Sequence, residues 1–206
     1  MKAIILAAGK GERFGDITRT LPKPLIKLGD ITLIEHNILL LKEYGFNDLV
    51  VNVSHLSDMI IDFLGNGKKY NVNIKYSVEK PEPYETGGGI QNALHLLGKS
   101  PFLVINADIY TNCNLSNISI KQDDLASIVM VKNPKHHIDG DFSLTNGRIT
   151  LANKNTMTYS GIGIYNPIIF SDIKSKKYKL SEILLKNIIK DKVSGSEHTD
   201  IWFDVG

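Results

Sequence analysis

The N-terminal stretch from Met1 to Pro24 most constrains the fold, because a short apolar run passes in it directly into small residues. The run Ala3 to Leu6 is continuously apolar, which is typical of a parallel strand buried on both faces. After it come small residues and then cations: Ala7, Ala8, Gly9, Gly11, and Lys10, Arg13, Arg19, Lys23. Small residues let successive N–H groups approach phosphate oxygens, and the cations neutralise charge. The stretch therefore predicts a central parallel strand at Lys2 to Ala7, followed by a triphosphate-binding loop.

The first half of the chain alternates strand and helix patterns. Further strands are predicted at Leu49 to Val53, Val72 to Tyr76 and Phe102 to Asn106, and helices at Thr32 to Tyr44, His55 to Leu64 with Ser54 as its cap, and Ile90 to Leu97. Such alternation favours βαβ units and an α/β fold with a mostly parallel sheet covered by helices on both faces. Asp108 follows the strand that ends at Asn106, at the edge where ligands bind in such sheets.

The second half has a different pattern. Strands are predicted at Leu125 to Val131 and Thr158 to Tyr165, a hairpin around Thr145-Asn146-Gly147, helices at Pro167 to Ile173 and Leu180 to Lys190, and a last strand at Trp202 to Val205 that carries Asp204. These strands are expected to be antiparallel. We expect one domain over 1–206, with 1–110 mainly binding a nucleotide and 111–206 mainly binding a second substrate.

Charge and cysteine content exclude several classes of protein. A formal net charge of +2 is too small for a nucleic-acid-binding scaffold. The single cysteine, Cys113, excludes an internal disulfide and a cysteine-based zinc site, which suits a reducing compartment. The N-terminal apolar run is about six residues long, too short for a signal peptide or a membrane span. We therefore expect a cytoplasmic protein that binds neither nucleic acid nor membrane, with its oligomeric state open.

Spacing excludes the two best-known phosphate-binding motifs. A dinucleotide fingerprint needs a third glycine where Phe14 stands, and an acidic residue near the end of the second strand, where Asn52, Val53 and Ser54 stand. A P-loop needs G-x-x-x-x-G-K-[ST], which the chain lacks. What remains is L-A-A-G-x-G-x-R at 6–13, followed by Pro22-Lys23-Pro24.

This compound motif resembles the signature of the sugar-1-phosphate nucleotidyltransferases, and four further stretches agree with it. They are ETGGGI at 85–90, NADIY at 106–110, YSGIGIY at 159–165 and WFDVG at 202–206. The set is most similar to the branch that uridylylates N-acetylmuramic acid 1-phosphate in cell-wall recycling. The resemblance implies a Rossmann-like nucleotidyltransferase fold with a small antiparallel sugar-binding part. It also implies Mg²⁺-dependent conversion of UTP and a sugar 1-phosphate into a UDP-sugar and pyrophosphate.

The resemblance assigns roles to particular residues of this chain. Arg13, Lys23 and Asp108 are expected to be catalytic, and Asp108 and Asp204 to hold the Mg²⁺. Nucleotide contacts are expected from Ala8, Gly9, Gly11, Arg13, Lys23, Thr86, Gly87 and Gly88, and sugar contacts from Asp141, Ser160 and Gly161. Lys10 and Arg19 are expected only to screen charge.

Alternative functions remain open. Related enzymes join dTTP to glucose 1-phosphate, GTP to mannose 1-phosphate or CTP to phosphocholine, and a non-catalytic regulator that binds a nucleotide sugar is the alternative of another class. Two departures from the family pattern stand out: Ala107 replaces a common glycine, and the family usually continues past the position of Gly206. We expect alanine to fit an extended backbone, and Asp204 to lie near a fraying end that weakens the second metal position.

Overall fold

The computed structural model describes residues 1–9, 11, 17–151 and 156–205, with residues 17 and 19 described by their backbone alone. The helices are α1 (Ile17–Thr20), α2 (Leu33–Glu43), α3 (Ser57–Leu64), α4 (Glu85–Leu97) and α5 (Leu180–Ile189). The strands are β1 (Ala3–Leu6), β2 (Lys27–Leu28), β3 (Ile31–Thr32), β4 (Asp48–Val53), β5 (Asn73–Val78), β6 (Phe102–Asn106), β7 (Ile109–Thr111), β8 (Ala126–Lys132), β9 (Ser143–Thr145), β10 (Arg148–Thr150), β11 (Met157–Tyr165), β12 (Val193–Glu197) and β13 (Trp202–Asp204).

The described residues form a nine-stranded sheet in the order β5-β4-β1-β6-β11-β8-β12-β10-β9. Strands β5, β4, β1 and β6 are parallel, whereas β11 runs antiparallel to both β6 and β8. The chain builds outward from β1 on one side through β4 and β5, and then places β6 on the other side of β1. This reversal of strand order creates a crevice between the carboxyl ends of β1 and β6. The predicted mixed, mostly parallel α/β sheet is confirmed.

Successive residues of β1 point into two apolar cores on opposite faces of the sheet. Ala3 and Ile5 join one cluster with residues of α2 and α3, whereas Ile4 joins a second cluster with residues of α4 and α5. All three side chains have no exposed surface. A strand buried on both faces needs an apolar residue at every position, which explains the continuous run at the start of the sequence. The prediction that helices cover both faces is therefore confirmed.

Several element boundaries differ from those predicted. Helix α4 begins at Glu85 instead of Ile90, so the three glycines lie inside it. Ser54 does not cap α3, which has Leu56 at its N-cap; the Ser54 hydroxyl donates to Glu79 O instead. The helix predicted at 167–173 is instead the short 3₁₀ turn Pro167–Phe170.

The second half is not antiparallel throughout. Sequence patterns missed β12, which runs parallel to β8 inside the sheet, and β7, which pairs antiparallel with β13 in a separate ribbon. The predicted hairpin is present: β9 and β10 pair across Asn146 and Gly147, both of which have positive φ.

The structure also bears on the reactivity of the cysteine and on the presence of a membrane-spanning helix. Cys113 is free and buried, and burial raises the pKa of its thiol to about 11, so the thiol stays protonated and unreactive near neutral pH. Among the described residues, no helix is long and apolar enough to cross a bilayer.

Candidate active site

The crevice between β1 and β6 is a cleft of about 550 Å³. Ala7 and Ala107, the residues that follow the two strands, are nearly completely buried, and the Ala107 N–H donates to Leu6 O. Ala107 lies in a turn rather than in the extended backbone that was expected, but it has no positive φ, so alanine is accommodated there. The walls come from the loop after β1, the turn after β6, and the segment around the start of α4. The parallel half of the fold therefore places the motifs that follow β1 and β6 and that open α4 around one concave site.

The loop after β1 supplies one wall of this cleft through Ala7, Ala8, Gly9 and Gly11. Gly11 has a φ of +66°, and a Cβ there would lie 3.0 Å from Thr18 Cγ2, so both conformation and space favour glycine. The Thr18 hydroxyl donates to Gly11 O at 2.9 Å and fixes the returning chain. Lys10 and Arg13 lie outside the described residues, as does the side chain of Arg19.

Lys23 and Asp108 meet at the floor of the cleft. Lys23 Nζ donates to Asp108 Oδ2 at 2.7 Å, and the lysine is only 7% exposed although its side chain is charged. It lies in a 3₁₀ turn, Lys23–Leu25, between Pro22 and Pro24, whose rings fix the backbone. The Asp108 side chain is about one-third exposed and faces the cleft. The ammonium of Lys23 is buried and the carboxylate of Asp108 is partly exposed, so the two form a pair held in place within the cleft. They are not solvated surface charges.

A second cleft, of about 330 Å³, shares Asn106 and Asp108 with the first. Asp204 lines it and has His136 Nε2 at 3.6 Å from its Oδ2. Strand β13 brings Asp204 to this position, because Asp204 pairs with Ile109 directly after Asp108, and the Val205 N–H donates to Asp108 O. Two carboxylates from distant parts of the chain thus line one cavity.

The predicted sugar-side residues lie at this second cleft. Asp141 accepts from the Tyr159 N–H at 2.8 Å and lies 3.1 Å from His137 Nε2. The Ser160 hydroxyl accepts from the Ile162 N–H, and Ser160 O accepts from Trp202 Nε1.

Gly161 lies beside these residues, at an irregularity in the pairing of β11 with β8. It has a φ of +83°, and a Cβ there would lie 2.7 Å from Asn106 Nδ2. Its role visible in the structure is to let β11 approach the end of β6, while Asp141 and Ser160 themselves line the cleft.

The segment predicted to read the base divides into two parts. Thr86 lines the first cleft, as does Glu85, but the N–H groups of Gly87 and Gly88 both donate to Tyr178 O. A Cβ on Gly87 would lie 2.4 Å from the Tyr178 ring. The glycines therefore let the chain before α5 pack against the first turn of α4. Base recognition by these two backbone groups stays a prediction.

Close packing at Gly88 gives a first testable expectation. A Cβ there would lie 2.0 Å from Lys176 O, so Gly88→Ala should lower the free energy of unfolding by about 1–3 kcal/mol, measured by urea denaturation. Gly9→Ala is the matched control, because no described atom lies within 4 Å of its Cβ, and it should change stability by less than about 0.5 kcal/mol. Equal stability of the two variants would contradict the close approach.

Sequence reasoning missed two buried polar residues of the first cleft, Asn52 and Glu79. Asn52 accepts from the Ala7 N–H at 2.7 Å and donates to Glu79 Oε1 at 2.6 Å, while Glu79 Oε2 accepts from the Tyr84 N–H. Burial raises the pKa of the Glu79 carboxyl, against the lowering effect of those bonds. For Asn52 the available signal was a polar residue inside an apolar strand; Glu79 follows the alternating strand β5 and carries no such signal.

Comparison with known proteins agrees with this arrangement. The nucleotidyl transferase family model matches residues 2–142. The chain is 42% identical to N-acetylmuramate alpha-1-phosphate uridylyltransferase of Neisseria meningitidis, over all of this chain and 93% of that protein. It is 31% identical to mannose-1-phosphate guanyltransferase of Aspergillus oryzae, but spans only 61% of that protein's length.

Solved structures with low sequence identity share the fold. HddC from Yersinia pseudotuberculosis, complexed with GMP-PN, superimposes with a TM-score of 0.80 at 22% identity, covering 99% of this chain and 93% of that one. The inositol-1-phosphate CTP transferase from T. maritima gives a TM-score of 0.78 at 16% identity, covering 98% and 89%. With the family model matching more than half of its length, the chain belongs to the nucleotidyl transferase family.

Proposed function

We propose that this chain transfers the uridylyl group of UTP to N-acetylmuramic acid 1-phosphate, giving UDP-N-acetylmuramic acid and pyrophosphate. The observation that carries the proposal is the meeting of two clefts at Asp108, with Lys23 bound to its carboxylate. A transferase needs two binding sites that share the reacting centre. The full-length similarity to the Neisseria uridylyltransferase supports the choice of substrates.

The reaction joins two anions. A phosphate oxygen of the sugar phosphate attacks the α-phosphorus of UTP, a new P–O bond forms, and the bond to the β-phosphate oxygen breaks with its electron pair leaving on pyrophosphate. The protein has little covalent chemistry to perform, so positioning and charge neutralisation carry the catalysis. Lys23, which borders the junction of the two clefts, is suited to neutralise charge between the reacting phosphates.

The loop after β1 would hold the triphosphate through the backbone of Ala8, Gly9 and Gly11. Arg13 is proposed to bind the outer phosphates, on the strength of its place in the motif. Thr86, which lines the first cleft, is proposed to contact the base, with Glu79 as a buried carboxylate acceptor in the same wall. Gly87 and Gly88 are proposed to contact the base only on the strength of their place in the motif, since their N–H groups donate to Tyr178 O. The Glu79 carboxylate could accept from the ring N–H of uracil or guanine. Cytosine has no ring N–H on its Watson–Crick edge, so this contact would disfavour CTP.

The donor set at the junction fits Mg²⁺. Asp108 and Asp204 offer carboxylate oxygens in one cavity, and Mg²⁺ is usually held by one or two carboxylates together with substrate phosphates. Among the described residues, no group of three or more acidic, histidine or cysteine side chains could hold a metal. The proposed site therefore needs the substrate phosphates as further ligands besides the two carboxylates. When bound, the ion would supply positive charge to the phosphates of both substrates. We propose that Asp108 and Asp204 hold it.

The second cleft has features that suit an acidic sugar. N-acetylmuramic acid carries a carboxylate in addition to its phosphate, and the imidazole rings of His136 and His137, side chains that can carry N–H donors, line this cleft. Asp141, held by His137 and the Tyr159 N–H, has carboxylate oxygens that can accept from sugar hydroxyls. Ser160 and Gly161 are proposed to border the sugar.

The remaining proposals concern context. We propose that residues 1–206 act as one nucleotidyltransferase domain, in which 1–110 mainly bind the nucleotide and 111–206 mainly bind the sugar phosphate. We place the reaction in the cytoplasm, as a step in the recycling of cell-wall sugars. The single buried cysteine is compatible with a reducing compartment.

A substrate panel tests the proposal. Pyrophosphate release is measured with UTP, dTTP, GTP and CTP, each against N-acetylmuramic acid, N-acetylglucosamine, glucose and mannose 1-phosphates. We expect UTP with N-acetylmuramic acid 1-phosphate to give the highest kcat/KM, by at least about tenfold. A higher kcat/KM for GTP with mannose 1-phosphate would contradict the substrate assignment, and no release with any pair would favour a binding-only regulator.

A further inference from the structure

Asn37 lies on α2 and is completely buried, yet its side chain is polar. Its Nδ2 donates to two carbonyl oxygens, Asn106 O at 3.2 Å and Ile109 O at 3.3 Å. These two residues stand on either side of the turn formed by Ala107 and Asp108. One side chain therefore spans the turn that presents Asp108 to both clefts.

An asparagine at position 37 lowers the stability of the fold unless its hydrogen bonds compensate for the burial of its polar side chain. Asn37 Oδ1 is buried and has no hydrogen-bond partner among the described residues. An unsatisfied buried acceptor destabilises a fold, and an apolar residue of similar size would avoid that loss. The two donated bonds offset it, and both end on the turn that carries Asp108.

His36, the residue before Asn37 on α2, contacts strand β7, which begins at Ile109. His36 Nε2 lies 2.8 Å from Thr111 O, and its ring stacks on Tyr110 with centroids 4.3 Å apart. Strand β7 is thus held along its length by two successive residues of one helix. The helix itself starts with a capping box between Thr32 and Glu35, which fixes where it begins.

Strand β7 also sets the position of the second carboxylate. It pairs with β13 in a two-stranded ribbon outside the large sheet, and in that register Asp204 stands opposite Ile109. The carbonyl of Ile109 is one of the two that Asn37 binds. Through β7 and the turn before it, the helix fixes two of the aspartates that line the second cleft, Asp108 and Asp204.

From this geometry we infer that Asn37 is a positioning residue for the carboxylates of Asp108 and Asp204. His36 supports it by holding β7 through Tyr110 and Thr111. Asn37 does not line either cleft, so it acts through the backbone of the turn and of β7. The inference rests on the proposed function, because it takes the two aspartates to hold the metal. Residues that orient metal ligands from behind change metal affinity and activity by about 10–100-fold when removed.

The test compares Asn37→Leu with Asn187→Leu. Asn187 is a matched control, because it is a buried asparagine on α5 whose Nδ2 donates to Ile183 O at 2.9 Å, outside both clefts. Mn²⁺ binding is measured by electron paramagnetic resonance at a fixed UTP concentration without sugar phosphate, with UTP alone as the blank. Circular dichroism confirms that each variant is folded, and kcat and KM for UTP are measured separately.

For folded Asn37→Leu we expect Mn²⁺ affinity and kcat each to fall about tenfold, with KM for UTP within about twofold of wild type. Asn187→Leu should lose thermal stability and leave Mn²⁺ affinity and kcat unchanged. Unchanged Mn²⁺ affinity and kcat in folded Asn37→Leu would overturn the inference. Equal loss in both variants would also overturn it, because that would show a general effect of destabilisation.

A second variant serves if Asn37→Leu does not fold. His36→Phe keeps the stacking on Tyr110 and removes the bond to Thr111 O, so it should give a smaller loss in the same direction. No change in its Mn²⁺ affinity and kcat would then reject the positioning role. Asp108→Asn in the same titration separates the two levels: wild-type Mn²⁺ binding there would refute the proposed metal site itself.

Discussion

Asp108→Asn should lower kcat by about a thousandfold or more while the protein keeps its fold. The substitution preserves the size of a side chain that borders both clefts but removes the negative charge that Lys23 Nζ contacts at 2.7 Å. A carboxylate does not itself stabilise anionic phosphates, so the effect comes through Lys23, which Asp108 positions, and through the Mg²⁺ that it would hold. Loss of one preorganised stabilising group at a reacting centre costs about a hundredfold to a thousandfold. The measurement is pyrophosphate release at saturating UTP and Mg²⁺, with circular dichroism to show that the variant is folded.

Asp62→Asn is the control for this experiment, because Asp62 is exposed on α3 and lines neither cleft. It should retain turnover within about twofold, as surface substitutions usually change little. Turnover of Asp108→Asn at the level of Asp62→Asn would remove Asp108 from both its catalytic and its metal-binding role.

Lys23→Met should reduce kcat by about a hundredfold or more, with a much smaller effect on stability. Methionine keeps the buried stem of the lysine, which is 7% exposed, and removes the ammonium that contacts Asp108. If the ammonium neutralises charge between the reacting phosphates, its loss should weaken the transition state more than the ground state. The fall should therefore be seen mainly in kcat, with a smaller rise in KM for UTP.

The matched control is Lys27→Met, which changes an exposed lysine only four residues away on β2. Its kcat and unfolding midpoint should match those of the wild type. A Lys23→Met protein that is unfolded at assay temperature would show that the ammonium serves the fold, and one with normal kcat would show that it is not needed for transfer.

The parallel half of the sheet could be predicted from the sequence because its central strands, β1, β4 and β6, are buried on both faces. A continuous apolar run as short as Ala3 to Leu6 is typical of a strand in that position. Strand β12 was missed for the opposite reason: its residues include two serines and Gly195, which give no strand signal. A Cβ at Gly195 would lie 2.4 Å from Ile149 Cδ1, so tertiary packing requires the residue that hides the strand.

The start of α4 was misplaced for a similar reason. Three successive glycines have low helix propensity, so the pattern predicted a helix only from Ile90. The structure extends it back to Glu85 because Tyr178 and Lys176 pack directly against the glycine backbones. Such a contact joins residues about ninety positions apart, which local propensity does not encode.

For the candidate site, the sequence motifs predicted which residues take part but not which of them contact one another. The structure brings Lys23 and Asp108 into contact and places Asp204 at the same cavity, while the roles of these residues stay predictions. Asn37 could not be identified from the sequence, because its position on an apolar helix face says nothing about the turn it binds. Supporting contacts of this kind depend on the fold as a whole.

The pairing of β7 with β13 links the order of folding to the assembly of the site. Its two strands are separated by about ninety residues, so this ribbon closes a long loop, which is entropically costly and slow. The only tryptophan in the sequence, Trp202, lies in β13, and its indole N–H donates to Ser160 O. Intrinsic tryptophan fluorescence during refolding would therefore report the moment at which Asp204 arrives beside Asp108.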